Sequence, residues 1–523
     1  MNRREWTVEA LLQPHNEHIV VLPVAVELVL LRLFGMSSAM PEFVILTALL
    51  SVVAVLVFVY VRRRLGPWPA LMAAVLLLFL GPAWQDLLWP FEIGFVGSVL
   101  CGVAMLLALE RADRRGDAAA CALLGLSIGF SSLGIAFAVG AAVDVLQGRR
   151  ERGLARAWVV AGPLLLFAAW YAGWGHEAPD HLSLHNVLAS PRFVFEALSA
   201  SVDSLVGMTG ITGEPPSQAA WSPVLLVSLV ALAVFRQIRK PGFSPRLWPV
   251  AAGAFAYWFL AGFNEIPGRE AYSSRYLYAG AVFVLLIAAN LLVGVRIGRR
   301  ALLVAGAITA VAAGSNLIPL RDGRDFLESQ TVLTRSDLAA IEIAWRTVDP
   351  SFGLTPEIAG TPFLIDVTAG EYLAAADEHG SPAYTPAELV RAPEAGRAQA
   401  DVVLANALPV AIETRRDGSE MRADGAGGNG AGKACRVVSP AGAGPPLPLD
   451  PGLIEIELPS GPPATIRLRR FAGAEYPLVS EGLPGGSITL LRIPADGVAR
   501  PWRLRVDASR GTRVCRTADS FSR

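Results

Sequence analysis

The chain has 523 residues, of which 53% are hydrophobic and only 17% charged, against about 25% charged in soluble domains. Its 45 basic and 45 acidic residues cancel to zero net charge, which excludes the basic footprint of a nucleic-acid-binding protein. The apolar excess is confined to the region before Leu320, and the remainder has the composition of a soluble domain.

Residues 1–42 read as an outer polar segment followed by a helix. Met1–Pro14 is polar and carries no secretory signal. The run Ile19–Phe34 is apolar but contains Pro23, Glu27 and Arg32, a pattern that predicts a helix lying at the membrane surface. Ten apolar runs then fill residues 43–318: 43–61, 69–83, 91–110, 118–130, 133–147, 157–173, 222–236, 247–263, 276–294 and 300–318. A crossing needs about 20 apolar residues, slightly fewer where helices pack together. The expected fold class is therefore a polytopic α-helical membrane domain with about ten crossings. The runs 118–130 and 133–147 are the shortest, and only Ser131-Ser132 divides them. Cys101 and Cys121 fall in apolar runs and read as packed thiols.

The connections carry the orientation. Arg62–Arg64; Arg111, Arg114 and Arg115; Arg149, Arg150, Arg152 and Arg156; Arg236, Arg239 and Lys240; and Arg296, Arg299 and Arg300 fall at every second connection. Cytoplasmic loops have this excess of Lys and Arg. The alternate connections, 84–90, 174–221 and 264–275, are rich in Trp, Pro, acids and His and are expected to face outward. The implied localisation is multi-pass in the plasma (inner) membrane, with the C-terminal domain extracytoplasmic.

That tail divides into an extracytoplasmic α/β region (319–416), a Gly-rich linker (417–434) and a β-sandwich-like domain (435–523). Ser336 is expected to cap a helix over Asp337–Val348, and Phe363–Val367 to form a buried strand. Leu453–Leu458, Ala464–Leu468, Ser487–Ile493 and Trp502–Val506 alternate as strands do. Cys435 and Cys515 are the two tail cysteines, and a disulfide between them would persist in an oxidising compartment.

Three outward clusters carry candidate chemistry. His15-Asn16-Glu17-His18 places two of the six histidines around a carboxylate, suited to a phosphate or a metal, although it is not the His-Glu-x-x-His zinc signature. Trp84-Gln85-Asp86-Leu87-Leu88-Trp89-Pro90-Phe91-Glu92 sets two carboxylates among tryptophans, which suits sugar recognition as well as an interfacial aromatic belt. An acid at the head of a crossing, as Glu92 is, is costly to bury and so points to function. In Asn264–Tyr278, Arg275 opens a crossing where guanidinium can clamp a phosphate, with Tyr276 beside it. His176, Glu177, Asp180, His181 and His185 are irregularly spaced and read as a solvated loop. No Walker motif, dinucleotide fingerprint or inverted repeat is evident.

The order of an outer polar loop ending in His, a Pro-containing helix ending Leu33-Phe34-Gly35, and a crossing closed by Arg62–Gly66 resembles the GT-C membrane glycosyltransferases. The protein mannosyltransferase and aminoarabinose-transferase branch is the nearest in pattern. There the stretch reads His/Lys-Pro-Pro-Leu-Tyr, amphipathic helix, Leu-Phe-Gly, then a crossing ending Arg-Arg-x-x-Gly. Ser274-Arg275-Tyr276-Leu277-Tyr278 looks like the Arg-Tyr element that opens a late crossing in such proteins. The resemblance covers roughly residues 9–318. It implies transfer of a sugar from a polyprenyl-phosphate donor to an envelope acceptor on the outer face, with the lipid bilayer and the lipid-linked sugar as partners. Asp86 and Glu92 become the catalytic candidates. His15, Glu17, His18, Trp84, Trp89, Arg275 and Tyr276 become substrate-binding candidates. A divalent cation is a candidate cofactor that the sequence leaves unknown. In the family a first transmembrane helix and an Asp motif precede the His-containing segment, whereas this chain starts at Met1-Asn2-Arg3, which leads to the expectation of a late start or a truncated, inactive copy. The alternative is a non-catalytic envelope protein whose soluble tail binds polysaccharide or a partner.

Overall fold

The computed structural model describes residues 7–111, 113–147, 153–178, 181–212, 221–239, 242–365, 367–408, 410–416, 434–438, 446–474, 476–508 and 511–516. The chain forms two units. One holds the described residues up to Phe34 with Ala39–Leu327; the other holds Gly35–Ser38 and the described residues from Glu328 onward.

The first unit is helical. After α1 (Val8–Leu12) and α2 (Val21–Phe34) come α3 (Met40–Leu65), α4 (Pro67–Leu78), α5 (Trp84–Leu88), α6 (Ile93–Leu109), α7 (Arg114–Phe130), α8 (Gly134–Leu146) and α9 (Trp158–Gly173). The next helices are α10 (Leu184–Val206), α11 (Met208–Thr212), α12 (Trp221–Arg239), α13 (Leu247–Phe263), α14 (Ser274–Leu291), α15 (Arg299–Ser315) and α16 (Leu317–Ile343). Local chemistry sets several boundaries. Gly66, at φ 90°, stops α3, and Pro67 restarts the chain as α4, because Pro is preorganised for a first helical turn. The Asp113 side chain caps α7, and α10 runs between a Ser183 cap and Gly207 in the left-handed region.

All ten apolar runs are helical, but the count of about ten crossings is not met. Among the described residues, five helices are long and apolar enough to cross a membrane: Met40–Leu65, Pro90–Leu109, Trp221–Ile238, Ser274–Leu291 and Arg299–Ile343. A sixth arises if Pro67–Leu78 and Gly81–Leu88, bent by 46°, act as one span. Gly134–Leu146, Trp158–Gly173 and Leu247–Phe263 are shorter apolar helices. At about 1.5 Å per residue, a 13-residue helix such as α8 spans about 20 Å, short of a hydrocarbon core of about 30 Å.

The ends of the helices define two poles. At one, α3, α6, α8 and α14 end while α7, α9 and α13 begin, tied by ion pairs of Arg64 and Arg246 to Glu110 and of Arg156 to Asp117 and Asp144. We refer to this as the arginine end. At the opposite end α6 and α14 begin and α7 and α13 finish.

The connection 174–221, expected as an outward loop, contains the 23-residue α10. Its sequence hides it, since Ser190, Asp203 and Ser204 are buried polar residues that dilute the apolar signal. Ser190, Ser201 and Ser204 hydroxyls donate to carbonyls four residues back, so they are satisfied within the helix. At its start, Asn186 Nδ2 donates to the Phe263 and Glu265 carbonyls after α13. At its finish, the Ser204 carbonyl accepts from Asn316 after α15. Both ends of α10 are thus tied to other elements of the helical unit.

The second unit joins the end of α16 to α17 (Ala369–His379), α18 (Pro386–Leu389), α19 (Glu394–Ala407) and, among the described residues, nine strands. Strands β1 (Ala411–Arg416), β2 (Ala434–Val438), β4 (Gly452–Glu457), β7 (Ser487–Ile493) and β9 (Thr512–Arg516) form one antiparallel sheet, in the order β1-β7-β4-β9-β2. Strands β3 (Leu447–Leu449), β5 (Ala464–Arg469), β6 (Leu478–Leu483) and β8 (Trp502–Asp507) form the other, in the order β3-β8-β5-β6. Alternate residues of both, among them Ile456, Ile466, Leu491 and Leu504, share one apolar core. Cys435 and Cys515 are bonded. Two local expectations fail. Ser336 is inside α16, its hydroxyl donating to the Val332 carbonyl, not capping a new helix. Over Phe363–Val367 the chain makes a 3₁₀ turn at Pro362–Leu364 capped by Thr361, since Pro362 has no N–H for a sheet ladder. Residues 417–433 of the predicted linker lie outside the described residues.

Candidate functional site

His15–His18 folds as a tight turn in which each histidine N–H donates to the other's carbonyl at 3.1 Å. Asn16 supplies the left-handed φ of 51°, which Asn tolerates better than most residues. The turn is anchored at the break between α7 and α8, where Ser132 Oγ accepts from Ile19 N–H at 3.2 Å. Both imidazoles then meet phenyl rings at the start of α6, His15 edge-on to Phe91 and His18 edge-on to Phe95, at 5.2 and 5.3 Å. Burial lowers His18 to about 4 and pulls His15 below its ordinary value, so both rings are neutral near pH 7.

A second anchor joins α5 to α14. The Gln85 N–H donates to Ser274 Oγ and the Arg275 N–H donates to Gln85 Oε1, both at 3.1 Å. This clasp sets Asp86 and Arg275 on neighbouring elements. Asp86 and Glu92 are each 1% exposed, and both feel the charge of Arg275. Asp86 Oδ2, Glu92 Oε2 and Arg275 Nε are buried with no hydrogen-bond partner among the described residues. The Tyr257 hydroxyl donates to the Tyr276 carbonyl at 3.1 Å.

Between the two anchors lies a cavity of about 110 Å³. Its polar lining residues include His15, Glu17, His18, Arg269, Arg275 and Tyr276, and its apolar ones Val20, Pro23, Val24, Phe91, Phe95 and Phe130. Gly94 allows a close approach there: a Cβ would come 3.1 Å from the Phe130 carbonyl and 3.2 Å from Pro23, tighter than ordinary contact. Arg269 is ion-paired with Glu17. Glu27, on α2 at the cavity's edge, is lifted to about 7 by burial.

The structure therefore gathers five of the predicted substrate-binding residues, His15, Glu17, His18, Arg275 and Tyr276, around one space. Trp89 stacks on Phe91 at 4.8 Å, one residue removed from the cavity. Trp84 does not join them; its ring packs against Phe326 at 5.4 Å. Asp86 and Glu92 lie close enough to act on Arg275 electrostatically but do not line the cavity. Arg269 was not singled out from the sequence, although it falls within the Asn264–Tyr278 cluster; its distance from Glu17 along the chain hid the pairing. Among the described residues no three His, Cys, Asp or Glu side chains converge in a way that would hold a metal ion. Asp180 of the second histidine group lies outside the described residues.

No protein-family model, curated protein or solved structure matches this chain.

Proposed function

We propose that this chain is a membrane glycosyltransferase that moves a sugar from a polyprenyl-phosphate donor to an acceptor in the cell envelope, at the outer face of the plasma membrane. The observation that carries the reading is the cavity's mixed lining, in which two guanidinium groups share one space with apolar side chains. A lipid-linked sugar phosphate combines the same two chemistries. In the reaction an acceptor hydroxyl attacks the anomeric carbon as its proton passes to a carboxylate. The bond from that carbon to the phosphate oxygen breaks, and polyprenyl phosphate leaves with the bonding electrons. Arg275 would meet the charge that develops on the leaving phosphate, and Asp86 and Glu92, buried outside the cavity lining and acting on Arg275 electrostatically, are assigned to holding that guanidinium.

The orientation rests on the arginine end facing the cytoplasm, which puts the cavity outside; the Cys435–Cys515 bond fits an extracytoplasmic tail. With Cys101 and Cys121 replaced, an impermeant thiol reagent should reach a cysteine at Glu177 from outside and one at Gly298 only from the cytoplasm. The opposite labelling pattern would refute the orientation. For the activity, Asp86→Asn and Arg275→Ala should each lower transfer from a labelled polyprenyl-phosphate sugar by about 10²-fold or more while expression is retained. Unchanged turnover in both variants removes the site assignment.

A further inference from the structure

Among the described residues, three polar atoms belonging to residues of the cavity wall are buried without a hydrogen-bond partner: Glu17 Oε2, His18 Nδ1 and Arg275 Nε. Buried polar groups are ordinarily satisfied, and several left open around one space point to a missing ligand. Arg269, by contrast, is occupied. Its Nη1 is paired with Glu17 Oε1, and the two side chains are only 15% and 17% exposed. Neither partner belongs to a helix. Glu17 sits in the His15–His18 turn, and Arg269 follows Gly268, at φ 86°, in the loop between α13 and α14. The pair can therefore open by side-chain rotation with no helix displaced.

We infer that the Glu17 carboxylate is a built-in occupant of an anion seat formed by Arg269 and Arg275, and that a phosphoryl or phosphodiester group displaces it on binding. The inference rests on the glycosyltransferase reading for the identity of that group as polyprenyl phosphate. A carboxylate and a phosphate present the same two-oxygen edge to a guanidinium. A phosphate has further oxygens, which can accept from Arg275 Nε and from the neutral His18 ring. It thus satisfies groups that Glu17 leaves open. Two anions cannot share the one guanidinium edge without strong repulsion, so entry of the ligand releases Glu17. An alkyl chain on the phosphate ester would lie along Val20, Val24, Phe95 and Phe130, burial that a free phosphate does not gain.

The test is equilibrium binding to the full-length chain in nanodiscs, with polyprenyl monophosphate and inorganic phosphate as separate probes. Glu17→Gln should tighten polyprenyl monophosphate about tenfold, and Arg269→Ala should weaken it by a similar factor and abolish the benefit of Glu17→Gln in the double variant. Inorganic phosphate should follow the same order at much lower affinity; equal affinity for the two probes would overturn the lipid headgroup as the source. If Glu17→Gln does not purify folded, Glu17→Asp, one methylene shorter, takes its place with the same expected direction. Unchanged or weaker binding in a folded Glu17 variant refutes the inference. Tighter binding without any sugar transfer would keep the seat and lose the activity; transfer with no effect of Glu17 on affinity would do the reverse.

Discussion

The two poles of the helical unit each hold a cavity among charged residues, and they use charge in opposite ways. At the arginine end the space is larger, about 200 Å³, yet its charges are matched. Arg64 gives Nη2 to Glu110 at 2.5 Å, Nε to Asn290 at 3.1 Å and Nη1 to the Tyr60 carbonyl at 2.9 Å, and it lies over the Tyr60 ring. Arg156 gives Nε and Nη2 to Asp117 and reaches Asp144. At the His15 end, wall groups are left without partners. A satisfied network holds helix ends together; an unsatisfied one waits for something to complete it. The number of charges in a cavity therefore says less about ligand binding than the number of their hydrogen bonds still open.

Substitutions can break or sharpen that contrast. The largest effect is expected from Arg156→Ala, which removes the guanidinium paired with both Asp117 and Asp144 where they are 6% and 7% exposed. Removing one partner of a buried ion pair costs about 3–5 kcal/mol, and thermal unfolding in detergent should show a loss of that size. A loss below about 1 kcal/mol would mean the arginine end is not held by its ion pairs. Next comes acid sensitivity at the other pole. His18 is held below the unfolded value of 6.5, so the unfolded chain takes up its proton first as pH falls. Stability should decline from about pH 6.5 down to about 4 and then lose this slope. His18→Phe, which keeps the ring against Phe95, should flatten that part of the pH profile; an unaltered profile would show that His18 is not the group responsible. The smallest effect belongs to Glu17→Gln, whose pair joins two loops and can be replaced by a hydrogen bond that the neutral amide's oxygen accepts. Its melting temperature should stay within the shift that about 1 kcal/mol produces, although ligand affinity changes.

Much of this was legible in the sequence. The apolar runs and the arginine-rich connections marked the helices and the end at which Arg64, Arg156 and Arg246 gather. Strand alternation located β4, β5, β7 and β8 to within a residue or so. The features that stayed hidden depended on long-range pairing. α10 escaped because its serines bond to their own backbone, so a packed helix reads as a polar loop. Ser336 looked like a cap because Ser competes for backbone bonds at helix starts, but here it bonds backward inside a continuous helix. His15, Glu17 and Arg275 were identified by residue type, whereas Arg269 needed the fold to bring it across 252 positions to Glu17. Trp84 shows the converse: an aromatic beside a carboxylate, turned by the fold toward Phe326.

One feature of the tail bears on association between copies of the chain. Strand β2 is the outermost strand of its sheet and comes after a long Gly-rich stretch, the circumstances in which an edge strand is most easily exchanged. The Cys435–Cys515 bond joins β2 to β9 at directly paired positions, 80 residues apart in sequence. While it is intact, β2 cannot peel away and offer the bare edge of β9 to a neighbouring molecule. Strand swapping along that edge is then closed to the oxidised protein and opens only on reduction.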